Sequence, residues 1–164
     1  MNVRQNTDPT RIYVLSKVNF QDILDSNKIN DDNVDEFIHY AFICINDSSG
    51  DYYHNPLFVS CHHNVINLFF DDVENDMEMS PTNHKETRAF TENDAAKVIK
   101  FLDENYKTKF LLVHCAGGIS RSGAIGQFAL DYLKGDKNKF KLDNPQILPN
   151  ARVLRLLNNK INQL

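Results

Sequence analysis

The sequence predicts an α/β fold: a central mixed, largely parallel sheet flanked by helices. Three observations lead there. Residues 40–45 (YAFICI), 65–70 (VINLFF) and 110–114 (FLLVH) are short apolar runs bounded by polar turns, as in buried strands. Residues 91–106, 121–134 and 150–161 repeat apolar side chains at helical spacing. The two kinds of segment alternate, as they do when helices pack on a parallel sheet. A chain of 164 residues suits a single domain spanning 1–164.

In chain order, residues 11–15 (RIYVL) read as a first strand. Asn19 is the expected cap of a short helix turning Phe20, Ile23 and Leu24 inward. Polar residues 26–33 form a turn. The strand at 40–45 ends in NDSSGD, a loop signal. Residues 56–60 read as another short strand, and 65–70 as a stronger one. The latter runs into DDVENDMEMSPTNHK, an acidic, apolar-poor surface loop. Thr91 opens a helix with the capping-box-like T-E-N-D; Ala95, Val98, Ile99, Leu102 and Tyr106 share a face. Residues 107–109 turn the chain into the strand at 110–114. That strand is apolar on both sides and so should be central and parallel. A helix over 121–134 is apolar over most of its surface, with Gly135 as its terminator. Residues 136–149 read as loop, and 150–161 as a last amphipathic helix through Val153, Leu154, Leu157 and Ile161.

Composition narrows the function classes. The chain is 41% hydrophobic and 24% charged, with net charge −4, which describes a soluble globular protein. The acidic balance lacks the basic footprint of a nucleic-acid binder. No apolar run approaches a membrane span. The opening MNVRQNTDPT has neither a basic nor an apolar segment of a signal peptide. Three cysteines are too few for a disulfide framework and point to a reducing, cytoplasmic setting.

Residues 109–127, KFLLVHCAGGISRSGAIGQ, carry the chemistry. A buried strand ends at His114 and a helix begins near Arg121, with Gly117 and Gly118 in the loop between. Such a loop turns its amides inward at a helix N-terminus, where partial positive charge collects. The amides of Ala116, Gly117, Gly118, Ile119 and Ser120 then form a cradle for a phosphate-sized dianion. Cys115 starts the cradle, and the dipoles that hold a phosphate also favour a thiolate. Arg121 sits at the first helical turn, where its fork can hold two phosphoryl oxygens. Ser122 is placed to stabilise the sulfur as a leaving group. His114, in the strand, should point away from the guest and hydrogen-bond loop backbone.

Residues 114–123, H-C-A-G-G-I-S-R-S-G, resemble the signature H-C-x-x-G-x-x-R-[ST] of the cysteine-dependent protein tyrosine phosphatase superfamily. The compact size and the late position of the cysteine resemble its small dual-specificity branch, in its bacterial and phage-borne form. The resemblance is tight over 110–134 and extends over about 65–160. It implies a dual-specificity phosphatase-like fold, no cofactor and no metal. It also implies a phosphomonoester hydrolase working through a cysteinyl-phosphate, with phosphotyrosine and possible phosphoserine or phosphothreonine proteins as substrates. In that family an aspartate upstream of the cysteine protonates the leaving group and later activates water. Strand 65–70 ends in two aspartates. The match selects Asp72, with Asp71 as runner-up and Asp76 still open.

Two other readings compete. One keeps the chemistry on a non-protein phosphate: an RNA 5′-phosphate, a phosphoinositide or a small phosphate. The loop positions carry no Lys or Arg, which weighs against a highly charged headgroup. The other is a non-catalytic phosphate-binding module, against which stand both Cys115 and Arg121. Elsewhere, Cys61, His62 and His63, with His54 nearby, lack common zinc spacing and read as an ordinary loop. Cys44, in a buried strand, reads as packing, although a reversible disulfide with Cys115 would protect the nucleophile. Lys85 and Arg88 read as surface charge.

Overall fold

A computed structural model of the chain describes residues 8–74 and 87–164. Among the described residues four strands form one sheet: β1 (Arg11–Ser16), β2 (Tyr40–Asn46), β3 (Val65–Phe69) and β4 (Phe110–Cys115). Their order is β1-β4-β2-β3, with β4 inside, and every pair is parallel. An isolated antiparallel bridge joins His62 and Val65. Five α-helices lie among the described residues: α1 (Lys17–Ser26), α2 (Glu92–Glu104), α3 (Arg121–Tyr132), α4 (Lys137–Asp143) and α5 (Ala151–Asn162).

Alternation along the central strands divides the core. Ala41, Ile43 and Ile45 of β2, with Leu111, Val113 and Cys115 of β4, face the layer that includes α2, α3 and α5. Phe42, Cys44 and Leu112 face Phe20 and Leu24 of α1, with Ile29, Val34 and Phe58. Helices on both faces explain why β2 and β4 are apolar throughout. Helix α3 comes close enough to β1 that a Cβ on Gly126 would lie 2.5 Å from Val14. Among the described residues no helix is long and apolar enough to cross a membrane.

Several expected elements differ. Ser16, not Asn19, caps α1, accepting from the Asn19 amide at 3.1 Å. The helix follows β1 without a linker. Residues 56–60 form no strand. Side chains take ladder partners' place at three of their backbone groups: the Val59 and Ser60 amides donate to Asp31, and Asn67 donates to the Phe58 carbonyl. Residues 136–149 contain α4, capped by Asp136 and anchored by one buried side chain, Phe140. One anchor gives too little periodicity to read. After α4, Asn144 pairs with the outer edge of β1, accepting from the Val14 amide and donating to the Ile12 carbonyl. Lys134, at φ 54°, makes the left-handed turn assigned to Gly135. Gly135 serves close packing instead, since a Cβ there would lie 2.9 Å from Leu130. Tyr106 lies beyond α2 and is exposed. Thr91 and Asp94 do form the capping box.

His62 ties two loops together. Its side chain is buried between Asp31 and Asp35, each 2.8 Å from a ring nitrogen. The hydrogen bond to Asp31, reinforced by that to Asp35, raises its pKa above the ordinary value against the effect of burial. A raised histidine contributes stability fully below its unfolded pKa of about 6.5 and loses it as pH rises through the folded value. Melting temperature is therefore expected to fall as pH rises from 6 to 9. His62→Gln should flatten that slope in thermal melts.

Candidate active site

Parallel pairing brings the C-terminal ends of all four strands to one edge of the sheet. The segments that follow them meet there: Lys17 after β1, Asp47 after β2, Asp71 and Asp72 after β3, and the loop 116–120 after β4.

The loop is held from outside by its carbonyls. Ala116 O accepts from the Lys17 amide at 3.2 Å, Gly118 O from Gln146 Nε2 at 3.1 Å, and Ile119 O from the Leu148 amide at 3.0 Å. Ser120 O accepts from the Asn150 amide at 3.0 Å. The amides of Gly117, Ile119, Ser120 and Arg121 have no backbone acceptor among the described residues. The Gly118 amide points at Cys115 Sγ, 3.3 Å away, and Ser122 Oγ lies 3.0 Å from the same sulfur. Gly118 turns the chain at φ 70°. Helix α3 begins here without a side-chain cap, whereas Ser16, Thr91, Asp136 and Asn150 cap the other four. Its N-terminal N–H groups remain available to an anion.

Arg121 is buried. Its Nη1 donates to Asp47 Oδ1 at 2.7 Å and to the Phe70 carbonyl at 2.8 Å. Both bonds use one nitrogen, so the Nε and Nη2 edge can engage two oxygens of a phosphoryl group. Asp72 lies against the loop: its Oδ1 accepts from Ser120 Oγ and from Asn150 Nδ2, both at 2.8 Å. Asp71 is committed elsewhere. It accepts from the Ser48 amide and hydroxyl and from the Arg88 amide. Burial pushes its pKa up, but these hydrogen bonds outweigh it and hold the carboxyl below its usual range. Of the two aspartates, Asp72 is the one that contacts the loop. Asp76 and Lys85 lie outside the described residues.

His114 points to the opposite face of β4, with its ring centroid 4.5 Å from that of Phe20. Burial lowers its pKa to about 4, so the ring is neutral at pH 7. Nδ1 lies 3.3 Å from the carbonyl of Cys115, the last residue of β4, and not from the loop backbone expected from the sequence. Cys44 also belongs to that opposite face and pairs in register with His114. Cys115 belongs to the other face, so no disulfide can join the two. Burial also raises the Cys44 thiol well above its ordinary pKa, as suits packing. Cys61 is exposed. Arg88 is a brace, pairing with Asp94 at 2.9 Å and donating to the Phe69 carbonyl.

Sequence reasoning missed three residues around the site. Asp47 followed a strand in a stretch legible only as a turn. Asn150 was read only as the start of a helix. Lys17 is fully buried, its ammonium 4.3 Å from the Tyr52 ring centroid and donating to the Tyr52 and Asn55 carbonyls. It thereby pins the segment that carries Asp47. No local pattern marks such a lysine, because its partners are distant backbone oxygens. Asp47→Ala would leave the Arg121 charge buried without its carboxylate. A loss of about 2 kcal/mol is expected in urea denaturation, below that for a fully buried pair because Asp47 is partly exposed. Asp47→Asn, which keeps an acceptor, should lose less.

No family model matches the chain, and no curated protein matches its sequence. Among solved structures it is similar to one described as "Crystal structure of Tk-PTP in the active form". The two share 14% identity over 96% of this chain and 95% of that one, with a TM-score of 0.49. At that level the likeness assigns no function, and the chemistry rests on the geometry of the site.

Proposed function

We propose that this chain is a phosphomonoester hydrolase acting through a cysteinyl-phosphate, in the manner of the small dual-specificity phosphatases that its loop resembles. The observation that carries the reading is the setting of Cys115. Its sulfur meets the Gly118 amide and the Ser122 hydroxyl at an uncapped helix N-terminus. Arg121 and Asp72 border the same loop.

In the first step the Cys115 thiolate attacks phosphorus. The S–P bond forms as the bond to the leaving oxygen breaks, and protonated Asp72 gives that oxygen its proton. The loop amides and the Nε and Nη2 groups of Arg121 bind the three equatorial oxygens as charge develops. In the second step the Asp72 carboxylate takes a proton from water. Water oxygen attacks phosphorus, the S–P bond breaks, and the Ser122 hydroxyl stabilises the departing thiolate. Inorganic phosphate is released and Asp72 is again protonated. The chemistry requires no metal.

The proposed substrates are phosphotyrosine proteins, with phosphoserine and phosphothreonine as further candidates. The rim supports a peptide over a polyanion: Ile119 and Leu148 are exposed apolar side chains beside the loop. A single cytoplasmic domain suits a nucleophile that must remain reduced. The test is hydrolysis of an aryl phosphate and of a phosphotyrosine peptide with EDTA present, and mass spectrometry of the quenched enzyme. Turnover with an added phosphoryl group on Cys115 is expected. Turnover abolished by EDTA would overturn the reading.

A further inference from the structure

We propose that Asn150 is a positioning residue that determines which oxygen of Asp72 carries the proton to the leaving group. The inference deepens the hydrolase reading and rests on it. Asn150 is fully buried, and its polar atoms span three segments. Oδ1 accepts from the Val153 amide at 3.1 Å, capping α5. The backbone amide donates to Ser120 O. Nδ2 donates to Asp72 Oδ1 at 2.8 Å and lies 3.3 Å from the Val73 carbonyl. One residue therefore links the phosphate loop, the segment bearing the acid and the closing helix.

Both donors to the Asp72 carboxyl, Asn150 Nδ2 and Ser120 Oγ, converge on Oδ1. An oxygen that accepts two hydrogen bonds is the carbonyl oxygen of the protonated acid, so the proton resides on Oδ2. Oδ2 makes no hydrogen bond to a described residue and is the oxygen available to substrate. As the P–O bond breaks and the S–P bond forms, the Oδ2–H bond breaks and the proton passes to the leaving oxygen. In the second step Oδ2 receives the proton of the attacking water. Ser120 is partly exposed and its hydroxyl can rotate; the buried Asn150 amide is the more rigid of the two donors.

The test separates proton delivery from simple bracing. Asn150→Ser keeps a helix-capping oxygen and the backbone bond to Ser120 but cannot reach Asp72. Asn150→Thr likewise keeps a capping oxygen and the backbone bond but is too short to reach Asp72. Both variants and Asp72→Asn are assayed on phenyl phosphate, whose leaving group needs a proton, and on a polyfluorinated phenyl phosphate, whose leaving group does not. Asp72→Asn should lose about 100-fold in kcat/KM, which reports phosphoryl transfer to Cys115 and not the later hydrolysis, on the first substrate and only a few-fold on the second. The Asn150 variants should lose about 10-fold on the first and less than about twofold on the second. Equal losses on both substrates, or none on either, would make Asn150 a brace and overturn the inference. If Asp72→Asn itself shows no leaving-group dependence, the assignment of Asp72 as acid falls, and this inference with it. If Asp72→Asn shows it and the Asn150 variants do not, only this inference falls.

Discussion

Cys115→Ser is expected to fold, to bind phosphate and to turn over no substrate. The new hydroxyl would keep both neighbours of the sulfur, the Gly118 amide at 3.3 Å and the Ser122 hydroxyl at 3.0 Å. It also fits the same buried space, so melting temperature should change little. The amides of the loop and the Arg121 fork do not depend on the sulfur, so phosphate affinity should survive. Chemistry should not. An alkoxide is far harder to form than a thiolate at neutral pH, and no side chain among the described residues within hydrogen-bond reach of position 115 is a base that could take its proton. Turnover of an aryl phosphate should fall by at least about four orders of magnitude, the scale on which loss of a covalent nucleophile acts. Phosphate binding measured by calorimetry separates this outcome from unfolding. Appreciable turnover by folded Cys115→Ser would end the covalent mechanism.

Gly118→Ala is expected to break the loop itself. Gly118 lies at φ 70°, where a side chain costs about 1–2 kcal/mol before any contact is made. A Cβ there would also sit 2.4 Å from the Leu15 carbonyl carbon and from the Ser16 nitrogen. Those atoms are backbone at the end of β1, paired with β4, and cannot step aside as a side chain could. The combined loss should be about 3 kcal/mol or more in urea denaturation. Activity should disappear with the inward direction of the amides. Gly117→Ala is the control: a Cβ at position 117 meets nothing within 4 Å, so stability should be nearly unchanged. Similar stability for the two variants would mean that the close approach of the loop to β1 is not the constraint.

The contrast between these neighbouring glycines shows where local reading stops. Both were legible as loop residues, because a strand and a helix flank them. Which of them is indispensable depends on β1, about a hundred residues earlier in the chain. The two aspartates after β3 behave likewise. The sequence offered both, and family resemblance preferred Asp72. The division follows from distant donors: Ser48 and Arg88 engage Asp71, while Ser120 and Asn150 engage Asp72. Cys44 read as packing with a protective disulfide as the alternative, and alternation along two paired strands puts it and Cys115 on opposite faces of the sheet.

Legible in the sequence were the α/β class, the central strand before Cys115 and the helix that starts at Arg121. These follow from local rules: apolar periodicity, capping residues, and the order of strand, glycines and helix. Contacts across the fold give Asp47 its hold on Arg121, bury Lys17, commit Asp71 elsewhere and bring Asn150 to Asp72. Each of these is a hydrogen bond or burial between segments far apart in the chain. Parallel pairing carries the ends of successive strands to one edge, and no window of sequence contains that geometry.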